Sequence, residues 1–201
     1  MALILIDDLN VWFSDQDSGK IDPLELQNFC LHLQCQSLNW YHDQDTFTSP
    51  LERSICLVLI MYPYLVMVSL RDNPAMHHLY DSQSSSLRKV LSAISHRERT
   101  LHSDLMLWIF AIGALSAKGS YDSDWFEYQT SLACTEFGID SPETLLRRLH
   151  LCGWVGFALD KPIRDLWDRM VSLRQRIASS FEKGHLSILE PFDDFIVADL
   201  L

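Results

Sequence analysis

A chain of 201 residues with 48% apolar and 21% charged side chains has the material for one buried core, which excludes wholesale disorder. Its 27 acids against 16 bases leave a net charge of −11, which opposes the counterion release that drives binding to a phosphate backbone. The five cysteines, an odd number spread from Cys30 to Cys152, fit reduced intracellular thiols better than a disulfide framework.

Apolar residues return every three or four positions and no strand-like alternation persists, so the sequence predicts an all-α fold, a single bundle of six to nine helices. Leu3 to Phe13 is a first short helix, without the basic flank and long apolar run of a secretory signal. Asp22-Pro23-Leu24-Glu25 opens a second, with Leu26, Phe29, Cys30 and Leu33 on one side. Gln36 to Thr48 reads as a connection, with Trp40 and Tyr41 tucked against the body. Ser49-Pro50-Leu51-Glu52 repeats the cap-then-proline start; its helix carries Cys56, Leu57, Ile60 and Met61 and is expected to break or kink at Pro63. The apolar run from Ile55 to Leu70 falls short of the roughly 20 residues that span a bilayer. It reads as a buried helix, and no membrane association is expected.

Arg71-Asp72-Asn73-Pro74 ends that segment, and Asp81 to Ser86 reads as a polar loop before a helix with Leu87, Val90, Leu91 and Ile94. Leu105 to Leu115, LMLWIFAIGAL, is apolar all round and belongs in the middle of a bundle. A glycine inside a helix costs about 1 kcal/mol relative to alanine, so Gly113 implies that another helix approaches closely there. Asp122-Ser123-Asp124 caps a helix beginning at Trp125-Phe126, and Ser141-Pro142-Glu143 starts one with Leu145, Leu146 and Leu149. Asp160-Lys161-Pro162 begins a long last helix striped by Ile163, Leu166, Trp167, Met170, Leu173, Ile177 and Phe181, and Lys183-Gly184 stops it. The expected organisation is N-terminal helices packing on the body (1–48), a core helical domain (49–182) and an acidic-hydrophobic C-terminal segment (183–201).

Chemistry is hard to find in this pattern. Cys30-x4-Cys35 with His32 between them is the nearest approach to a zinc site, but no second ligand pair stands at a matching distance. His150-Leu151-Cys152 and His77-His78 are weaker still, since residues two apart on a helix point in different directions. The acid pairs Asp7-Asp8, Asp43/Asp45, Asp122/Asp124 and Asp193-Asp194 fall at helix ends or loops, where acids serve as caps. The basic pairs Arg88-Lys89, Arg97/Arg99 and Arg147-Arg148 read as solvated helix faces or ends. No phosphate-cradling glycine loop and no hydrolase motif occurs. No catalytic, metal or cofactor site is therefore expected. From Ile188 to Leu201 acids alternate with bulky apolar residues. Phe192, Phe195, Ile196 and Leu200 are the candidate partner-binding residues there, in a segment that either docks as a terminal helix or folds onto a partner groove.

The central aromatic pattern resembles a known family. Leu105 to Ala114 with Trp108, Phe110 and Gly113, then Trp125-Phe126, then the leucine-rich segment ending at Trp154, then Leu166-Trp167, resemble the regulatory domain of fungal zinc-cluster transcription factors. Ala114 stands where the family has a second glycine, and the likeness covers roughly residues 50 to 182. It implies an all-α domain in the nucleus, or else the cytoplasm, that controls transcription through protein partners or a small effector, with the signature residues serving as core. The six-cysteine, two-zinc DNA reader of that family has no counterpart in this sequence, so no direct contact with nucleic acid is expected. A dimer with itself or with a related regulator is a further expectation, with the stripe of the last helix as its seam. The alternative is a small helical enzyme or carrier acting on an apolar metabolite.

Overall fold

The computed structural model describes residues 23–43, 49–71 and 81–182. Among them are eight α-helices: α1 (Pro23–Asp43), α2 (Pro50–Arg71), α3 (Asp81–Ser92), α4 (His96–Leu101), α5 (Ser103–Ser116), α6 (Ser123–Glu136), α7 (Pro142–Leu149) and α8 (Gly156–Glu182). One turn of 3-10 helix, His150–Cys152, joins α7 to the corner before α8. The predicted all-α bundle is what the chain forms. The predicted Leu3–Phe13 helix, His77-His78 and the segment 183–201 lie outside the described residues.

The helix starts follow local chemistry. Before α2, Ser49 N–H donates to Glu52 Oε2 at 2.9 Å and Glu52 N–H donates back to Ser49 Oγ at 3.3 Å, a reciprocal capping box. Ser141 accepts from Thr144 N–H at 3.3 Å, and Pro142 follows where a missing N–H costs nothing. Asp122 does stand at the N-cap of α6, but its carboxylate caps nothing. It is turned instead to another helix.

Four element boundaries differ from the sequence expectations, and at Pro63 and at the start of α8 burial outweighs a local signal. Gln36 to Asp43 continues α1 where a connection was expected, and Trp40 and Tyr41 stand 40% exposed instead of tucked in. Pro63 ends nothing: α2 runs through it to Arg71, with its neighbours Tyr62, Leu65 and Val66 all buried. Close to that interruption of the hydrogen-bond ladder, Gln34 Nε2 of α1 donates to the Ile60 carbonyl at 3.2 Å. The serine-rich stretch Asp81–Ser86 is the first half of α3, its Ser86 hydroxyl turned back to the Ser82 carbonyl at 2.9 Å. Finally α8 begins at Gly156, upstream of the expected Asp160 start, and gains the buried Ala158 and Leu159.

The core is centred on α5, where every residue from Met106 to Ser116 is buried. Around it pack α2, α6, α7 and α8, with α3 closing one side. The 20-residue stretch Pro50–Ser69 of α2 is long and apolar enough to cross a membrane by length and composition, longer than its apolar run suggested, but 72% of its most apolar window is buried inside the bundle. That burial makes it a core helix. Ile163, Leu166, Met170 and Leu173 of α8 are buried against the body, so the expected dimer seam is already occupied by the chain's own core. By contrast α1 packs chiefly against α2 alone.

Candidate functional site

The signature residues converge. Gly113 of α5 sits directly under the Phe126 ring of α6: a Cβ there would lie 2.5 Å from Cδ1 and closer still to Cε1. The absent side chain is what lets the two helices meet, as expected from the glycine alone. Phe126 is wholly buried and packs edge-on against Trp125, ring centroids 4.8 Å apart at 89°. Trp125 in turn meets Phe110 at 6.4 Å and 66°. These are favoured edge-to-face geometries for aromatic quadrupoles.

Two guanidinium groups bracket this aromatic run. Arg88 lies 5.4 Å from the Trp125 centroid and Arg99 lies 6.0 Å from that of Phe110. Arg88 also donates to the buried Asp122 at 2.8 Å, where Ser85 Oγ donates at 2.6 Å, and Arg99 donates to the Leu91 carbonyl at 3.0 Å. Arg148, for its part, reaches Asp104 at 2.7 Å. One arginine from each predicted solvated basic pair is thus a tie between elements. Their long stems and flat heads suit that bracing better than lysine would.

A second knot forms where α7 turns into α8. Gly153 adopts φ 74° and ψ 70°, a left-handed conformation open to glycine at little cost, and so reverses the chain. The buried Tyr62 hydroxyl donates to the Gly153 carbonyl at 3.0 Å and accepts from Val155 N–H at 3.1 Å, fastening this corner to α2. Burial pushes the Tyr62 phenol well above its ordinary range, with the Val155 bond pulling the other way. Trp154 is 1% exposed and donates its Nε1 to Asp160 at 2.9 Å; His150 meets the same oxygen at 3.3 Å. Trp108, by contrast, lies 5.6 Å from the Tyr62 ring with its Nε1 unpaired among the described residues. Tyr62 did not stand out in the sequence and Asp160 stood out only as a helix start, because each acts through a distant or unremarkable neighbour.

The other signature pair divides. Leu166 is fully buried, whereas Trp167 is half-buried beneath Arg174, 5.9 Å from its ring. Arg174 donates to the Ser131 hydroxyl and, at 3.1 Å, to the Ser131 carbonyl. One turn back, the buried Glu127 accepts from Arg169 Nε at 2.6 Å. A polar seam thereby joins α6 to α8.

Among the described residues, several of the kinds that carry chemistry in other proteins are engaged in structure. Asp122 and Asp124, paired in sequence, serve different partners: Arg88 for the first and Arg176, at 3.9 Å, for the second. Arg164 pairs with Glu143 and holds its carboxyl below the usual range. Burial raises the Cys30 and Cys56 thiols to about 11 and Cys134 to about 12, so these remain protonated and poorly nucleophilic at neutral pH. Cys152 is also raised, by burial first and by Asp104 second, and the neighbouring His150 is bonded to Asp160. Of the nearest approach to a zinc site, Cys30 faces the core whereas His32 and Cys35 are exposed, so the three do not converge. Among the described residues no group of three His, Cys, Asp or Glu is placed to hold a metal.

What the sequence did not reveal is a surface. Leu31 (48% exposed), Cys35 and Leu38 (37%) form an outward stripe on α1, and Trp40 and Tyr41 are exposed near the end of the same helix. The candidate partner-binding residues Phe192, Phe195, Ile196 and Leu200 lie outside the described residues. Comparison with protein-family models, with curated proteins and with solved structures returns no match.

Proposed function

We propose that this chain is a transcription-regulator-type helical domain that acts through protein partners, in the manner of the regulatory domain of zinc-cluster transcription factors. The observation that supports the reading is the Gly113–Phe126 interlock. It joins the two halves of the aromatic pattern into one packed unit, where a chance likeness would leave a glycine and a Trp-Phe pair unrelated. Consistent with it, the acids and arginines beside the signature tie helices together. Such a domain contributes a stiff body whose surface, and not an internal reaction centre, meets the partner or a small effector. The net charge of −11 directs that partnership toward protein and away from nucleic acid. The domain works in the nucleus, or in the cytoplasm while awaiting its partner.

The test is co-purification of the tagged full chain from nuclear and cytosolic extracts of its own cells, with mass spectrometry of what accompanies it. Recovery of a zinc-cluster regulator or a coactivator from nuclei is the expected result. A cytosolic protein carrying a bound metabolite, with no nuclear partner, overturns the proposal in favour of an enzyme or carrier.

A further inference from the structure

Helix α1 has two faces of different kinds. Cys30, Leu33 and Ser37 are buried, and Gln34 bonds to the Ile60 carbonyl of α2. On the opposite side Leu31, Cys35 and Leu38 are spaced by four and three residues, which places them in one row. Leu31 and Leu38, two turns apart, are separated by about 10 Å along the axis. Exposed Asn28, His32, Gln36 and Asn39 flank the row. From Gln27 to Tyr41 there is no Asp, Glu, Lys or Arg, in a chain whose net charge is −11. An apolar centre with an uncharged polar rim is the make-up of an interface core, where charged residues are depleted.

We propose that this face of α1 joins two copies of the chain as an antiparallel helix pair. Two copies at −11 each repel wherever carboxylates meet carboxylates; over the central Gln27–Tyr41 stretch of α1 they approach without opposing any. A strongly acidic or basic partner, conversely, has no charge to grip there. The row is also self-complementary. A two-fold axis passing between Gln34 and Cys35 sets Leu31 against Leu38 of the partner subunit, and by symmetry Leu38 against Leu31 of the partner subunit. The two Cys35 thiols then flank the axis. A single helix pair lies at the low end of specific interfaces, under about 1,200 Å², the size of weak and transient contacts. The inference stands independently of the regulatory reading, since it uses only the packing and composition of α1.

Sedimentation of the reduced full chain across about 1 to 200 μM, a span chosen around the weak affinity of small interfaces, tests it. The expected result is a monomer–dimer equilibrium that a short bismaleimide traps through Cys35, with the cross-link lost in Cys35→Ser. Leu31→Lys with Leu38→Lys in one copy abolishes dimerisation, and mixing that copy with a Leu31→Glu, Leu38→Glu copy restores it, because each lysine then faces a glutamate. Circular dichroism and melting of each variant, unchanged from the parent, separate lost pairing from lost folding. A chain that stays monomeric throughout the range overturns the proposal. So does a dimer indifferent to these substitutions, or a Cys35 that resists maleimide because the rest of its own chain covers it.

Discussion

Helices α5 and α1 are both rich in apolar residues, yet they meet opposite fates. Every position of α5 from Met106 to Ser116 is buried, with neighbours on all sides. Helix α1 covers one face against α2 and leaves Leu31 and Leu38 in solvent. The difference lies in what interrupts each apolar row. In α5 it is small residues, Ala111, Gly113 and Ala114, which invite another helix. In α1 it is Gln, Asn, Ser and His, which keep a rim wet while leaving leucines on the outside. One helix is scaffold; the other is available for contact.

The strongest way to break this contrast is to attack the scaffold at its tightest point. Phe126→Ala removes a fully buried ring and is expected to cost about 3–5 kcal/mol in denaturant unfolding. Gly113→Ala forces a methyl group into the same ring and is expected to cost about 1–3 kcal/mol. Combining Gly113→Ala with Phe126→Leu should cost less than the two single losses added together, because the smaller side chain makes room for the methyl. Strict additivity would mean that the two residues do not share one contact.

Next in size is the corner that fastens α7 and α8 to α2. Tyr62→Phe leaves the Val155 N–H without its acceptor and removes a donor from the Gly153 carbonyl. A stability loss of about 1–3 kcal/mol follows from stranding a buried polar group. A different kind of effect comes with pH. Cys30, Cys56 and Cys134 ionise near 9 when unfolded, but only at about 11, 11 and 12 when folded. Above pH 9 the folded chain therefore retains more protons than the unfolded chain, and its stability falls as pH climbs toward 11–12. Below pH 8 these groups contribute no slope. Urea midpoints taken from pH 8 to 11 measure the fall, and Cys134→Ala should make it shallower. The smallest effect belongs to α1: Leu31→Lys and Leu38→Lys each change monomer stability by no more than about 0.5 kcal/mol, since both positions are exposed.

What could be read from the sequence was whatever depends on near neighbours. The Ser49 and Ser141 caps are settled within one turn, and both formed as expected. The all-round apolar character of α5 announced its burial, and Gly113 announced a close approach before the partner ring was known. The last helix kept its stripe, with Ile163, Leu166, Met170 and Leu173 in the core. Its start was misread because Pro162 is a strong local signal, and the burial of Ala158 and Leu159 against distant helices overrode it. The serine run of α3 was misread for a similar reason: Ser85 finds Asp122, a residue 37 positions away. Which carboxylate meets which guanidinium depends on which helices become neighbours, and no spacing rule in one chain contains that. The exposed row on α1 was hidden because Leu31 and Leu38 look like any other core leucines until the helix is seen to touch only one side of the bundle.

The contrast between a locked scaffold helix and an available contact helix is tested most directly by native-state hydrogen exchange of the full chain at two concentrations, one well below and one well above the dimer midpoint. The account predicts that α5 amides exchange only through global unfolding at both concentrations. It predicts that α1 amides exchange faster in the dilute sample and gain protection in the concentrated one. Equal protection of α1 and α5 in the dilute sample would contradict it, because α1 would then already be enclosed by its own chain.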